Sequence, residues 1–81
     1  MMPTPYNRLV RLVKVLTEPS YELIGPWWVG TQYIDTLELT YEGDIIIHSF
    51  NGDIDYEMPA FTMLDKDILE LVEQLENILL N

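Results

Sequence analysis

The chain has 81 residues, 48% of them hydrophobic, with 14 Asp+Glu against 4 Lys+Arg and a formal net charge of -10. That length supports one core and the apolar fraction is too high for disorder, so residues 1–81 are read as a single small acidic domain. The lack of Cys removes a disulfide framework and a thiolate metal site, and a pI near 4.1 opposes direct binding to nucleic acid or an anionic membrane, both of which are polyanions.

Thr4-Pro5 reads as a helix N-cap followed by proline at the first helical position, where its missing N–H costs nothing. Tyr6, Leu9, Val10, Leu12, Val13 and Leu16 then share one arc at about 100° per residue, with Arg8, Arg11 and Lys14 opposite and Val15 the one misfit. An amphipathic helix over 5–17 is predicted, closed by Glu18-Pro19-Ser20. Residues 19–33 carry two prolines and two glycines around Trp27-Trp28 and read as loop with at most one short strand.

Over residues 32–42 polarity alternates, Leu37, Leu39 and Tyr41 against Thr36, Glu38, Thr40 and Glu42, as in a half-buried strand. Glu42-Gly43-Asp44 turns the chain. Residues 45–50 are mostly apolar and rich in Ile on both faces, as in a central strand, and Asn51-Gly52 is a two-residue hairpin signal. In the third strand Ile54, Tyr56 and Met58 alternate with Asp53, Asp55 and Glu57 until Pro59 ends the pairing. Thr62-Met63-Leu64-Asp65 resembles a capping box with Asp in place of Glu, and Leu64, Ile68, Leu71, Val72, Leu75, Ile78 and Leu79 share one arc of the helix that follows. The expected fold is two-layer α+β: helix, loop, three-stranded antiparallel β-meander and helix, with both helices packed on one sheet face.

Few residues suit catalysis: one His, no Cys, and serine only at Ser20 and Ser49. His48 and Ser49 are adjacent in a strand and point to opposite faces, so they cannot pair as base and nucleophile. There is no Gly-rich phosphate loop and no HExxH, no cofactor is implied, and the chain is read as a non-enzyme. Asn51, Asp53 and Asp55 have the i, i+2, i+4 spacing of calcium ligands. Tyr56 stands where such a loop needs Gly and Thr62 where it needs a bidentate Glu, so a hairpin with a solvated strand face is the better reading and no metal site is expected.

The charge layout is more informative. Residues 1–16 sum to +3 and residues 17–81 to -13. Same-face strand residues repeat at about 6.6–6.8 Å, so Asp53, Asp55 and Glu57 form a row of carboxylates spaced like adjacent backbone phosphates, which Glu38 and Glu42 extend on a neighbouring strand. Asp67, Glu70, Glu73 and Glu76 step by three along the last helix as a second carboxylate stripe. Glu73 and Glu76 sit in the half where the helix dipole favours cations, so local stability does not account for them. Trp27 and Trp28 read either as core caps or as interface anchors.

These residues form the expected partner-binding set. They point to an acidic inhibitor that docks on the basic nucleic-acid site of a nuclease or other nucleic-acid-binding enzyme, presenting carboxylates in place of phosphates. Phage anti-CRISPR and other anti-defence DNA mimics use that logic, as do toxin immunity proteins. The alternative is a small structural or adaptor subunit that forms a homodimer or docks through Leu69, Leu80 and the Trp pair. Both readings make the partner a protein. No signal peptide or membrane span is legible, and a cytoplasmic location is expected, the host cytoplasm for a phage-encoded chain.

Overall fold

The computed structural model describes residues 4–17, 20–51 and 54–81; Gly52 and Asp53, on which the hairpin and the carboxylate row partly rest, lie outside the described residues, as do Glu18 and Pro19. The elements run α1 (Pro5–Thr17), β1 (Glu22–Val29), β2 (Gln32–Leu39), β3 (Ile45–Asn51), β4 (Ile54–Pro59) and α2 (Asp65–Leu80), with a 3-10 turn at Ala60–Thr62. The strands form one antiparallel sheet in the order β1-β2-β3-β4. The class is α+β as expected, but the meander has four strands instead of three.

α1 starts where its sequence directs. Thr4 Oγ1 accepts the Asn7 N–H at 3.2 Å and Pro5 is the first helical residue. Leu9 and Val13 are buried, Tyr6, Val10, Leu12 and Leu16 pack partly buried beside them, and Val15 is exposed, so the predicted arc is the packed one. Thr17 satisfies its buried hydroxyl by donating to the Val13 carbonyl at 2.7 Å.

Residues 22–29, within a stretch expected as loop with at most one short strand, form the eight-residue edge strand β1, and both tryptophans lie in it. Extra residues accumulate across the sheet here: three steps of β1, from Ile24 to Trp27, match two steps of β2, from Thr36 to Ile34, and these match one step of β3, from His48 to Ser49. Such bulges let a strand carry Gly25 and Pro26, and an edge position tolerates the N–H that Pro26 lacks. Gly25 is needed for a second reason. A Cβ there would fall 2.6 Å from Trp27 Cε3, because the indole lies over the glycine backbone.

β2 ends at Leu39, short of the predicted 42. The Gly43 N–H donates to the Thr40 carbonyl at 2.9 Å and the Thr40 N–H to the Asp44 carbonyl at 2.8 Å, closing a turn in which Gly43 has φ +91°, a left-handed conformation that glycine adopts without steric cost. Tyr41 and Glu42 are therefore exposed in the turn. The expected capping box also fails to form. Thr62 Oγ1 donates to the Pro59 carbonyl at 2.7 Å inside the 3-10 turn, and Leu64 is the N-cap with no side-chain bond. Ile68, Leu71, Val72 and Leu75 of α2 are buried, while Leu64, Ile78 and Leu79 at the two ends of the predicted arc project past the core and are exposed.

One core unites both helices with one sheet face: Leu9 and Val13 of α1 and the four buried residues of α2 meet Trp27, Ile34, Leu37, Ile45 and Ile47. Tyr6 fastens α1 to the turn after β2. Its hydroxyl donates to Asp44 Oδ1 at 3.0 Å and accepts the Ile45 N–H at 3.1 Å, and its ring meets Phe61 edge-on. Burial raises the pKa of this phenol above its ordinary value, against the opposing Ile45 N–H bond, and the Asp44 carboxylate adds to the rise. Tyr6→Phe is expected to cost about 1–3 kcal/mol of stability by leaving that N–H without its acceptor, and urea unfolding of the two proteins measures it. Equal midpoints would mean that water takes over the bond.

Candidate functional site

With both helices on one side, the other face of the sheet is left uncovered by the described residues. β3 turns Ile45, Ile47 and Ser49 into the core, so Ile46, His48 and Phe50 look outward. Register carries this parity across the strands. Glu57 stands opposite His48 and Asp55 opposite Phe50 on β4, Thr36 stands opposite His48 and Glu38 opposite Ile46 on β2, and Glu22 pairs with Glu38 on β1. The face bends into an open concavity of about 480 Å³ whose lining includes Glu22, Asp35, His48, Asp55 and Glu57.

The cations are confined to one layer, while acids occur in both. Every Lys and Arg of the chain lies on a helix, Arg8, Arg11 and Lys14 on α1 and Lys66 on α2. The described acids of the sheet, Glu22, Asp35, Glu38, Asp55 and Glu57, come from three of its four strands. Among them sits His48, whose Nε2 lies 2.9 Å from Glu38 Oε1, donating because a carboxylate only accepts. Its Nδ1 faces Glu57 Oε2 at 3.6 Å. The imidazole thus gathers carboxylates from β2 and β4 across β3. Ser49 points the other way, as alternation requires: buried, it donates to the Tyr33 carbonyl at 2.7 Å and accepts from Gln32 Nε2 at 3.0 Å.

The residues singled out in the sequence thus divide. Glu38, Asp55 and Glu57 share the uncovered face, Glu42 sits in the turn beyond the end of β2, and Asp53 is outside the described residues. In the α2 stripe, Glu76 Oε1 is 3.5 Å from Arg8 Nη2, and Glu70 Oε2 accepts the Gly30 N–H at 3.2 Å. Gln74 Nε2 donates to the Trp28 carbonyl at 2.8 Å. Part of that stripe therefore binds α1 and the β1–β2 turn to α2, while Asp67 and Glu73 border a surface hollow with Lys66 and Leu69. The tryptophans separate by strand parity. Trp27 is 4% exposed in the core, and Trp28 is 58% exposed on the uncovered face, its ring edge-on to Tyr33 at 5.1 Å.

Sequence reasoning missed Glu22 and Asp35. Glu22 was legible only once β1 is recognised, since it shares parity with Ile24 and Trp28. Asp35 falls where the register of β2 shifts, so no period could place it on a face. Among the described residues no group of three or more His, Asp or Glu is arranged to hold a metal ion, and no helix is long and apolar enough to cross a membrane.

Fold and face together define a two-layer α+β domain with an acidic uncovered sheet face. Compared with known proteins, the chain matches no family model, no curated protein and no solved structure.

Proposed function

We propose that this protein is an acidic inhibitor that binds the basic nucleic-acid site of a nuclease or other nucleic-acid-binding enzyme, setting carboxylates where phosphates would lie. The observation that supports this reading is the makeup of the uncovered face: it holds Glu22, Asp35, Glu38, Asp55 and Glu57 and no Lys or Arg, since all four of those cations lie on the helices. A face of one sign steers a Lys/Arg-lined groove toward it, and a strand repeat of about 6.6–6.8 Å offers that groove a phosphate-like series. The biological setting is inhibition of a defence nuclease by a phage protein or of a toxin nuclease by its immunity protein, in the cytoplasm.

The test is a pull-down with the tagged protein from nuclease-treated bacterial lysate, washed at low and then high salt, followed by competition between the protein and a labelled duplex for the captured enzyme. One basic nucleic-acid enzyme, released as salt rises and losing its duplex to the inhibitor, is the expected result. Recovery of only the bait, or of a salt-resistant partner that is not basic, overturns the proposal.

A second reading, a homodimeric or docking adaptor, has its own observation: Leu69, Leu80 and Trp28 are all exposed. Apolar burial would hold such an assembly together, and salt would leave it intact or strengthen it. The mass in solution at two ionic strengths separates the two, a salt-independent dimer favouring the adaptor.

A further inference from the structure

We infer that the acidic face is engaged along the free edge of β4, by an extended segment of the partner in which basic and apolar residues alternate; this rests on the reading of the partner as basic. The sheet has two edges, and they differ. β1 is bulged, carries Pro26, and is held from α2 through the bonds of Glu70 to Gly30 and of Gln74 to Trp28. β4 pairs with β3 in unbroken register from Ile54 opposite Asn51 to Pro59 opposite Ile46, has no proline before that last residue, and is exposed over residues 54–57. Its outer side is thus a regular row of backbone donors and acceptors, the surface on which strand addition works.

The two faces of β4 specify the side chains of the added strand. Ile54, 66% exposed, and Tyr56, 41% exposed, lie on the helix side of the sheet but beyond the cover of the helices. Asp55 and Glu57 lie on the uncovered face. An added strand shares this alternation, so its residues meet the apolar pair and the acidic pair in turn, and the complementary sequence alternates apolar with Lys or Arg. A second copy of β4 is disfavoured as the occupant, because in antiparallel addition about a two-fold axis normal to the sheet its Asp55 and Glu57 share a face with the same carboxylates. The basic segment of this chain is excluded, since Arg8, Arg11 and Lys14 are committed to α1.

The experiment uses labelled peptides of about ten residues, the length of a long strand. Two share one composition of Lys, Val and Thr, one in strict alternation and one permuted so that neither face is uniform, and anisotropy is read at low and moderate salt. The alternating peptide is expected to bind at least about 10-fold more tightly, through several cross-strand pairs. Methylating every second backbone nitrogen of that peptide should abolish binding in one phase and spare it in the other. Equal affinities for the two peptides, or equal behaviour of the two methylated phases, overturn edge docking. If those equal affinities also fall with salt, the basic-partner reading stands without the edge; if neither peptide binds at low salt, both are overturned.

Discussion

Replacing Asp55 and Glu57 together with Lys is expected to weaken binding of the basic partner by at least about 100-fold, because each reversal turns an attraction at the contact into a repulsion. The fold should survive, since both residues are exposed. Each reversal moves the net charge by two, from -10 to -6 for the pair, so general self-repulsion falls. A control separates the face from net charge. Asp67→Lys with Glu73→Lys makes the same change in total charge on the helix layer, and there the loss should stay within about 10-fold, a long-range effect only. Affinity measured for both doubles, with circular dichroism melts to confirm folding, decides the matter. Equal losses would show that total charge governs binding and that the sheet face has no special part in it.

Ile47→Ala is expected to cost about 2–5 kcal/mol, a large share of the roughly 4–12 kcal/mol that a domain of this size has available. Ile47 is fully buried at the centre of β3, between Leu37 and Met58, so its truncation leaves a cavity inside the packed core. Its neighbour in sequence behaves oppositely. His48→Ala removes a partly exposed polar contact with Glu38 and Glu57 and should cost less than about 1 kcal/mol, as solvent-screened surface contacts do. Urea unfolding of the two variants measures the contrast across one peptide bond. A His48→Ala loss as large as that of Ile47→Ala would mean that the carboxylate–imidazole bridge stabilises the sheet as strongly as the core does.

The readable elements are those whose period runs unbroken. In α1 the arc of Tyr6, Leu9 and Val13 persists from cap to end, and on β4 the parity of Asp55 and Glu57 places both on one face without knowledge of the neighbouring strand. β1 was obscured because Gly25 and Pro26 signal a turn locally, whereas in the fold they occupy a bulged edge whose glycine is covered by the Trp27 ring. Its parity survives all the same: Leu23, Gly25, Trp27 and Val29 are the inner positions. The end of β2 misled in the opposite direction. Thr40, Tyr41 and Glu42 continue the alternation in composition, but the left-handed Gly43 turns the backbone away from the ladder.

The candidate face was partly legible for a related reason. The acids of β4 and Glu38 follow from parity alone, while the place of His48 between Glu38 and Glu57 depends on the register of three strands, which residues 10 and 9 positions away in sequence do not reveal. The α2 stripe was legible as a stripe. Its division into residues that bind the fold together and residues that face solvent depends on where Arg8 and the β1–β2 turn come to rest.

The consecutive tryptophans of β1 give the chain two optical channels. Trp27, shut into the core over Gly25, is shielded from a neutral quencher such as acrylamide until the domain unfolds, whereas Trp28 is open to it on the uncovered face. Emission from single-tryptophan variants therefore follows melting and occupancy separately, with no added label. Trp28 stands on the strand farthest from β4. A bound molecule spread across the whole face shields it from quencher, and one confined to the β4 edge leaves its quenching unchanged.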